Sequence, residues 1–266
     1  MAGPVPASDG PWYGAAVVAA VMLAVLGLLL GPVLAVIVDR AVEREPLQPV
    51  HRCPRCRHDL GPASLLPLRS WFVRCAGCAH RPGWRHPVTD LASAAALGLI
   101  GHRFGFSVDT VLFAPVAAVL VVLSVIDLET HRLPNVITYP AFVAGSAAVL
   151  VAGGFLGRGD AVVAAAVGAV VAFATLLGFH VANPAGLGLG DVKLAPTLGL
   201  FLGWLAPGPV AAVSLVLYAV IVGSAGVGLV GLAVRLVGRR RLELPFGPGL
   251  AVGTLTVIAA SARLTP

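Results

Sequence analysis

Two aspartates stand at the ends of apolar segments, where a carboxylate calls for a chemical explanation. Asp127 closes one apolar run in "VVLSVIDLETHRLPN", and Asp191 opens another in "GLGDVKLAPTLGL". Asp191 can also act as a helix N-cap, because it follows a glycine and a carboxylate there meets unpaired amides. Asp127 is harder to explain in that way, because it is expected at the C-terminal end of its helix, where a negative charge opposes the helix dipole.

Two carboxylates held together at a low-dielectric boundary cannot both ionise readily, so the pair shares a proton. One member can then take a proton from water while the other donates a proton to a carbonyl oxygen, which is the chemistry of aspartic proteolysis. Gly188 and Gly190 would let a substrate backbone approach closely. Lys193 either holds the nearby carboxylate ionised or extends its ammonium to the lipid interface. We therefore predict that Asp127 and Asp191 form a catalytic pair, supported by these three residues.

All four cysteines lie in one polar segment, as "CPRC" and "CAGC" separated by eighteen residues. This spacing is typical of a zinc site, and two disulfides are the alternative. We expect this segment to lie in the cytoplasm, where thiols are kept reduced, and this location argues against disulfides. Four protein ligands leave no open position, so we expect a structural metal that folds a short polar loop. The expected ligands are Cys53, Cys56, Cys75 and Cys78. The nearby histidines are expected to face solvent instead: His51, His58, His80 and His86.

The segments that must carry these residues are unusually apolar. The chain of 266 residues is 58% hydrophobic and only 11% charged, with a mean hydropathy of +0.93, whereas soluble domains carry roughly 25% charged residues. Strands are a poor alternative, because the apolar runs lack the alternation of a membrane barrel. We predict an all-α polytopic membrane protein of about eight transmembrane helices with a small cytoplasmic zinc-binding loop domain. The expected spans are 13–38, 88–105, 108–126, 135–156, 160–182, 192–206, 209–234 and 246–262.

The distribution of basic residues predicts the orientation in the membrane. Placing residues 39–87 in the cytoplasm puts fifteen of the 18 Lys and Arg residues on that side, as the positive-inside rule requires. Two spans separate Asp127 from Asp191, so both emerge on the cytoplasmic face. The start "MAGPVPASDGPWYG" has no basic residue before its apolar run, so we expect a retained first span and not a signal peptide. The basic face could attract anionic lipid, and nucleic acid need not be invoked.

Several motifs together resemble a known family. "GLGDVK" resembles the G-x-G-D-x-K signature of the type IV prepilin leader peptidases, a branch of the GxGD aspartic membrane proteases. "DLETHRLPN" is similar to that family's first catalytic segment, and "RCPRC", "LLPLRSW", "CAGC" and "HPVTDL" resemble its zinc-bearing cytoplasmic domain in order and spacing. The likeness runs from about residue 31 to about residue 205. The resemblance implies that Asp127 and Asp191 are the catalytic pair.

The resemblance also implies a substrate, a location and a domain organisation. The substrates would be prepilins or pseudopilins of type IV pili or type II secretion, whose short basic leader is followed by an apolar helix. Cleavage would occur at the cytoplasmic face of the bacterial inner membrane. We expect a first transmembrane span (1–38), a cytoplasmic zinc-binding loop domain (39–87) and a transmembrane aspartic peptidase domain (88–266).

Methyl transfer stays an open alternative for this chain. Many family members also methylate the new N-terminus with S-adenosylmethionine, and they carry a first-span motif close to G-S-F-L-N-V-V before an arginine. Here the matching stretch runs from Gly31 to Ile37, with Arg40 after it. Pro32 and Ala35 replace the serine and the asparagine, and neither has a side chain that can form a hydrogen bond. The peptidase motifs are not touched by these replacements.

Two other functions are compatible with parts of the pattern. A proton- or metal-coupled transporter could use the two aspartates, although transporter sites usually lie near the midplane of the membrane and these acids lie at one face. A non-catalytic scaffold could present the zinc loop to a secretion assembly. His180, near the end of the fifth span, is expected to be structural.

Overall fold

The computed structural model describes residues 11–47, 52–53, 55–61, 65–72, 74–81, 83–184, 186–237 and 245–264, with side chains over 14–261 within these ranges. The described residues form nine helices and no strand, which confirms the predicted all-α class. The helices are α1 (Pro11–Val42), α2 (Arg69–Phe72), α3 (Arg85–Phe104), α4 (Val108–Thr130), α5 (Asn135–Leu156), α6 (Gly159–Ala182), α7 (Leu189–Leu205), α8 (Pro209–Leu236) and α9 (Gly247–Leu264). The three consecutive arginines Arg239, Arg240 and Arg241 and the first ten residues lie outside the described residues.

Fewer of the described helices than the expected eight can span a membrane by themselves. Each expected apolar run is a helix, but only five described helices are both long and apolar enough to cross a bilayer by themselves: α1, α4, α5, α6 and α8. α7 has 17 residues, and the part of α9 described with side chains, Gly247–Ser261, is also short. α3 is more polar, because it carries Arg85, Asp90 and Arg103. The chain is a multi-pass membrane protein.

Small residues explain how the polar α3 and the short α7 are accommodated. A side chain at Gly199 of α7 would collide with the backbone carbonyl of Gly168 on α6. A side chain at Gly31 of α1 would likewise collide with the backbone of Asp90 on α3. Glycine lets helix backbones approach closely in lipid, where packing replaces the hydrophobic effect as the source of association. α3 is therefore covered along one face by α1, and α7 along one face by α6.

α7 is the central helix of the bundle, and this position explains why a short helix suffices. Most of its residues from Asp191 to Trp204 are buried, and it contacts α5, α6, α8 and α9. At one end Trp204 Nε1 donates a hydrogen bond to Asp109 Oδ1 at 2.7 Å, and the Arg158 guanidinium stacks 4.4 Å from the Trp204 ring. These contacts anchor one end of α7, and Asp191 lies at the other.

Candidate active site

Asp127 lies in the last turn of α4, and α9 completes its surroundings. Its side chain is 5% exposed, and its Oδ2 accepts a hydrogen bond at 3.0 Å from the amide of Gly247, the first residue of α9. A carboxylate that opposes the dipole of its own helix therefore meets the favourable N-terminus of another. The sequence reasoning missed Gly247, and the "PFGPG" stretch before the last apolar run is the only local signal for it.

Asp191 lies in the first turn of α7, where Gly188 is the N-cap residue and no side chain caps the helix. The N-cap explanation of Asp191 is therefore not supported by its position. The side chain is 6% exposed, and its Oδ1 has no hydrogen-bond partner among the described residues. A buried carboxylate oxygen without a donor is costly, so this atom needs a water, a proton or a substrate.

The structure brings the two aspartates to one open cavity of about 740 Å³. The ends of α1, α4, α5 and α7 and the turn between α4 and α5 line it. The carboxylates of Asp127 and Asp191 lie close enough for their negative charges to repel each other. Arg44, Arg132 and Lys193 line the same cavity, so its lining combines an acidic pair with a basic group.

The turn between α4 and α5 explains the shape of this cavity. His131 ends α4 in the left-handed conformation, with φ 53°, and Pro134 starts α5 in an extended conformation. The chain therefore reverses within a few residues of Asp127. A Cβ added to Gly190 would lie 3.1 Å from the Cβ of Leu133 in this turn, so glycine is favoured at 190 by close packing. Gly190 does not require a left-handed backbone, because its φ is not positive.

The contacts of Lys193 and His180 bear on the roles that the sequence suggested for each of them. The Lys193 ammonium donates a hydrogen bond to Asn135 Oδ1 at 3.2 Å and lies 5.9 Å from the Tyr139 ring. Lys193 forms no ion pair with an aspartate in the described part of the chain. Its ammonium therefore lies in the lining of the cavity and is not a direct partner of Asp127 or Asp191. His180 Nδ1 donates a hydrogen bond to the Leu187 carbonyl at 2.7 Å, which holds the glycine-rich turn before Asp191.

An ion-pair network beside the cavity was not predicted from the sequence. Arg85 of α3 contacts Asp39 of α1 through Nη1 and Glu129 of α4 through Nε, both at 3.1 Å. His86 Nε2 lies 3.0 Å from Asp39 Oδ2. The expectation that His86 faces solvent was wrong, because its side chain is 2% exposed. Since Glu129 follows Asp127 by two residues, this network ties α1 and α3 to the end of α4.

The four cysteines form one cluster with two similar halves. All four sulfurs lie within 4.8 Å of one another, and all four are free thiols. In each half the amide four residues after the first cysteine donates to that cysteine's carbonyl at 2.8 Å. That residue has a left-handed backbone in both halves, with φ 59° at Arg57 and 57° at Ala79. The four sulfurs are arranged so that they could hold one metal ion. His51, one of the nearby histidines, lies outside the described residues.

Hydrogen bonds within the cluster make the thiol of Cys75 more acidic than an ordinary cysteine. Burial acts to raise its pKa, but hydrogen bonds from the Cys56 thiol and from the backbone at Gly77 and Cys78 outweigh burial and lower this pKa to about 6. A thiolate is the form that binds metal. The cluster therefore has a ready thiolate ligand near neutral pH.

The part of α1 that corresponds to the family's methyl-transfer motif, residues 31–37, is largely buried, and α1 packs against α3. Pro32 and Ala35 are both buried, and neither supplies a polar atom. On the facing helix, Thr89 Oγ1, Asp90 Oδ1 and Ser93 Oγ are buried without a hydrogen-bond partner among the described residues. These positions of α1 thus offer S-adenosylmethionine no hydrogen-bonding side chain.

Fold and site define the class as a multi-pass helical membrane protein with a buried carboxylate pair in an open cavity. A family profile described as "Type IV leader peptidase family" matches residues 114–230, which include both aspartates. A second profile, described as "Bacterial Peptidase A24 N-terminal domain", matches residues 25–104, which include the four cysteines. The chain belongs to the type IV leader peptidase family.

Curated relatives support this membership. The prepilin leader peptidase/N-methyltransferase of Aeromonas hydrophila is 31% identical over 221 residues, 80% of this chain and 73% of the relative. The Pseudomonas aeruginosa protein of the same name is 30% identical and aligned over 85% of each chain. The Myxococcus xanthus one is 35% identical over 70% of this chain, and the aligned part spans 57% of its length. No solved structure matches this chain.

Proposed function

We propose that this protein is an aspartic endopeptidase that removes the leader of prepilin-like or pseudopilin precursors at the cytoplasmic face of the bacterial inner membrane. The observation that carries the proposal is the meeting of Asp127 and Asp191 at one open cavity formed by helix ends. Family membership supports the peptidase activity and does not favour the transporter alternative.

The two carboxylates have different roles in this proposal. Asp127 is the base, because the Gly247 amide donates to its Oδ2 and favours the charged form. Asp191 holds the shared proton, because its Oδ1 is buried without a donor. Asp127 takes a proton from water, the water oxygen bonds to the scissile carbonyl carbon, and Asp191 gives its proton to the carbonyl oxygen. The C–N bond then breaks as the leaving amine takes the proton from Asp127 and a hydroxyl of the tetrahedral intermediate returns a proton to Asp191, which restores the starting pair.

The surroundings of the pair suggest how substrate and membrane are arranged. Arg44, Arg132 and Lys193 would repel a basic leader and attract anionic lipid head groups. We therefore expect the leader to leave the cavity away from these cations. A Cβ at Gly188 would lie 3.5 Å from Asp191 Oδ2, so glycine at this position leaves room for the scissile peptide to approach the pair.

The cysteine cluster is proposed to bind structural zinc. A tetrahedral zinc with 2.3 Å bonds separates its sulfurs by about 3.8 Å. The Cys53–Cys78 and Cys56–Cys75 separations of 3.5 and 3.4 Å need only a small expansion to reach that value. Cys53, Cys56, Cys75 and Cys78 would all be ligands, so the ion would stabilise a loop domain spanning 39–87 and take no part in hydrolysis. The segment 88–266 would then be the peptidase domain.

The experiment that tests the proposal is co-expression with a precursor encoded in the same genome, followed by mass spectrometry of the precursor's N-terminus. We expect the leader to be removed by the parent and left in place by Asp127→Asn and Asp191→Asn. Asp160→Asn is the matched control, because Asp160 is an exposed aspartate in the first turn of α6, away from the cavity. Removal of the leader by both active-site variants, normally inserted, would contradict the proposal.

The same spectra decide the second activity. The relatives are named peptidase/N-methyltransferase, so methylation with S-adenosylmethionine is the second candidate. A mature N-terminus that is heavier by one methyl group would establish it despite Pro32 and Ala35. An unmodified mature N-terminus would assign this chain the peptidase activity alone.

A further inference from the structure

An apolar groove of about 300 Å³ lies between α8 and the start of α9. Every residue that lines it is valine, leucine, proline or glycine. This surface, called the α8–α9 groove below, is represented by Leu128, Val222, Gly226, Val230, Pro248 and Val252.

One end of the α8–α9 groove lies next to Asp127, outside the cavity that holds both carboxylates. Leu128 follows Asp127 directly, and its side chain is 42% exposed. Pro248 follows Gly247, whose amide donates to Asp127 Oδ2 at 3.0 Å. The groove therefore begins one residue away from the amide that donates to Asp127, beside the cavity in which cleavage is proposed.

The length of the groove along α8 fits a helix. Along α8 it extends from Val222 to Val230, eight residues or about 12 Å of helix. That length accommodates two turns of a partner helix. Gly226 faces open space, because an added Cβ would meet nothing within 4 Å, and glycine permits close approach of a second helix in lipid. Exposed apolar side chains are ordinary in a membrane protein, so it is the position of the groove beside Asp127, and not its exposure, that indicates an occupant.

We infer that the α8–α9 groove binds the first turns of the precursor's apolar helix and so sets the peptide bond that reaches Asp127 and Asp191. The inference rests on the proposed function, which supplies an apolar helix next to the scissile bond. A helix that starts at the carboxylate pair and continues into the membrane along α8 needs an apolar surface in this position. The groove would thus favour a leader followed directly by an apolar helix over a leader attached to a polar segment.

The kinetic test compares two substrates and two glycine variants. The substrates are a full precursor and a peptide that ends before the apolar helix. We expect Gly226→Leu to lower the ratio of kcat/KM for the precursor to kcat/KM for the peptide by about tenfold or more. Gly228→Leu is the matched control, because Gly228 is an α8 glycine that also meets nothing within 4 Å and does not line the groove. Its ratio should equal that of the parent.

A binding test is independent of cleavage. A photo-crosslinking amino acid is introduced at Val230, or at the exposed Val170 of α6 as a control, in full-length protein that carries Asp127→Asn. Crosslinks to the precursor from position 230 and not from 170 support the inference. Crosslinks from position 230 to lipid alone, or to a second copy of the chain alone, overturn it, as does an unchanged substrate ratio in Gly226→Leu. If the parent cleaves neither substrate, the proposed function fails while the crosslinks still decide the groove.

Discussion

Asp127 and Asp191 are both buried and each is hydrogen-bonded to a backbone group, Gly247 for Asp127 and Gly188 for Asp191, but among the described residues one carboxylate oxygen of Asp191 is left without a partner. The Gly247 amide donates to Asp127, whereas Asp191 Oδ1 has no partner. Such an asymmetric pair can hold one proton in a defined place, which general acid–base catalysis requires.

The proposed sharing of one proton by this pair predicts the pH dependence of cleavage. We expect a bell-shaped profile of kcat/KM, because activity is lost at low pH when both carboxylates are protonated and at high pH when neither is. Asp191→Asn keeps a neutral group but cannot transfer a proton, so we expect a loss of about 10² to 10⁴-fold at every pH. A profile of the parent that rises without a second limb, measured on the peptide substrate, would contradict a shared proton.

Gly247 provides a second test at the scale of one residue. A Cβ at this position would lie 2.7 Å from Asp127 Oδ2 and must displace the carboxylate. We expect Gly247→Ala to lower kcat by about tenfold or more, because a misdirected donor no longer stabilises the base. Gly154→Ala is the control, since a Cβ there meets nothing within 4 Å. Equal kcat values for the two variants would show that the Gly247 amide does not support Asp127.

At the scale of elements, α7 is held against α6 by glycines. Gly199→Ala must separate the two helices, because its Cβ would meet the carbonyl group of Gly168. We expect a loss of about 1 to 3 kcal/mol in the free energy of unfolding and lower activity, since α7 carries Asp191. Thermal unfolding in detergent measures the change. Gly178→Ala, at an open position of α6, should unfold near the parental temperature.

The ends of α1, α3 and α4 are joined by Arg85, and this junction gives another test. Arg85→Gln leaves Asp39 and Glu129 without this cation, so the end of α1 that lines the cavity is less firmly held. We expect a raised KM with a smaller change in kcat. The side chain of Arg85 is 22% exposed, and the parent should show part of the same effect in high salt. Arg69→Gln, at an exposed arginine of α2, should leave KM unchanged.

At the scale of the whole molecule, the cysteine loop and the helical bundle depend on different interactions. The loop is proposed to need zinc, whereas the bundle is held by helix packing. We therefore expect one zinc per chain by elemental analysis, and loss of this zinc on chelation, on acidification or in Cys75→Ser, because protons compete with metal for thiolates. Helical circular dichroism should change little, since the cysteines lie outside the long helices. A parent without bound zinc, or a bundle that unfolds with the loop, would contradict this separation.

Local features of the sequence determined the class of the protein and the position of its helices. The long apolar runs predict helices wherever they occur, because hydropathy and helix formation act over one segment at a time. The cysteine spacing predicts the cluster for the same reason, since each C-x2-C turn is built within a few residues. Motifs around Asp127 and Asp191 were sufficient to indicate the family.

Tertiary structure alone decided how these pieces meet. It brought Asp127 and Asp191 to one cavity, supplied the Gly247 amide from 120 residues away, and buried His86 beside Asp39. It also covered one face of the polar α3 and of the short α7 with other helices, and neither of these two is among the five described helices that are long and apolar enough to span a bilayer alone. These outcomes depend on which helices pack together, and the sequence pattern of one segment does not show which other segments lie next to it in the fold.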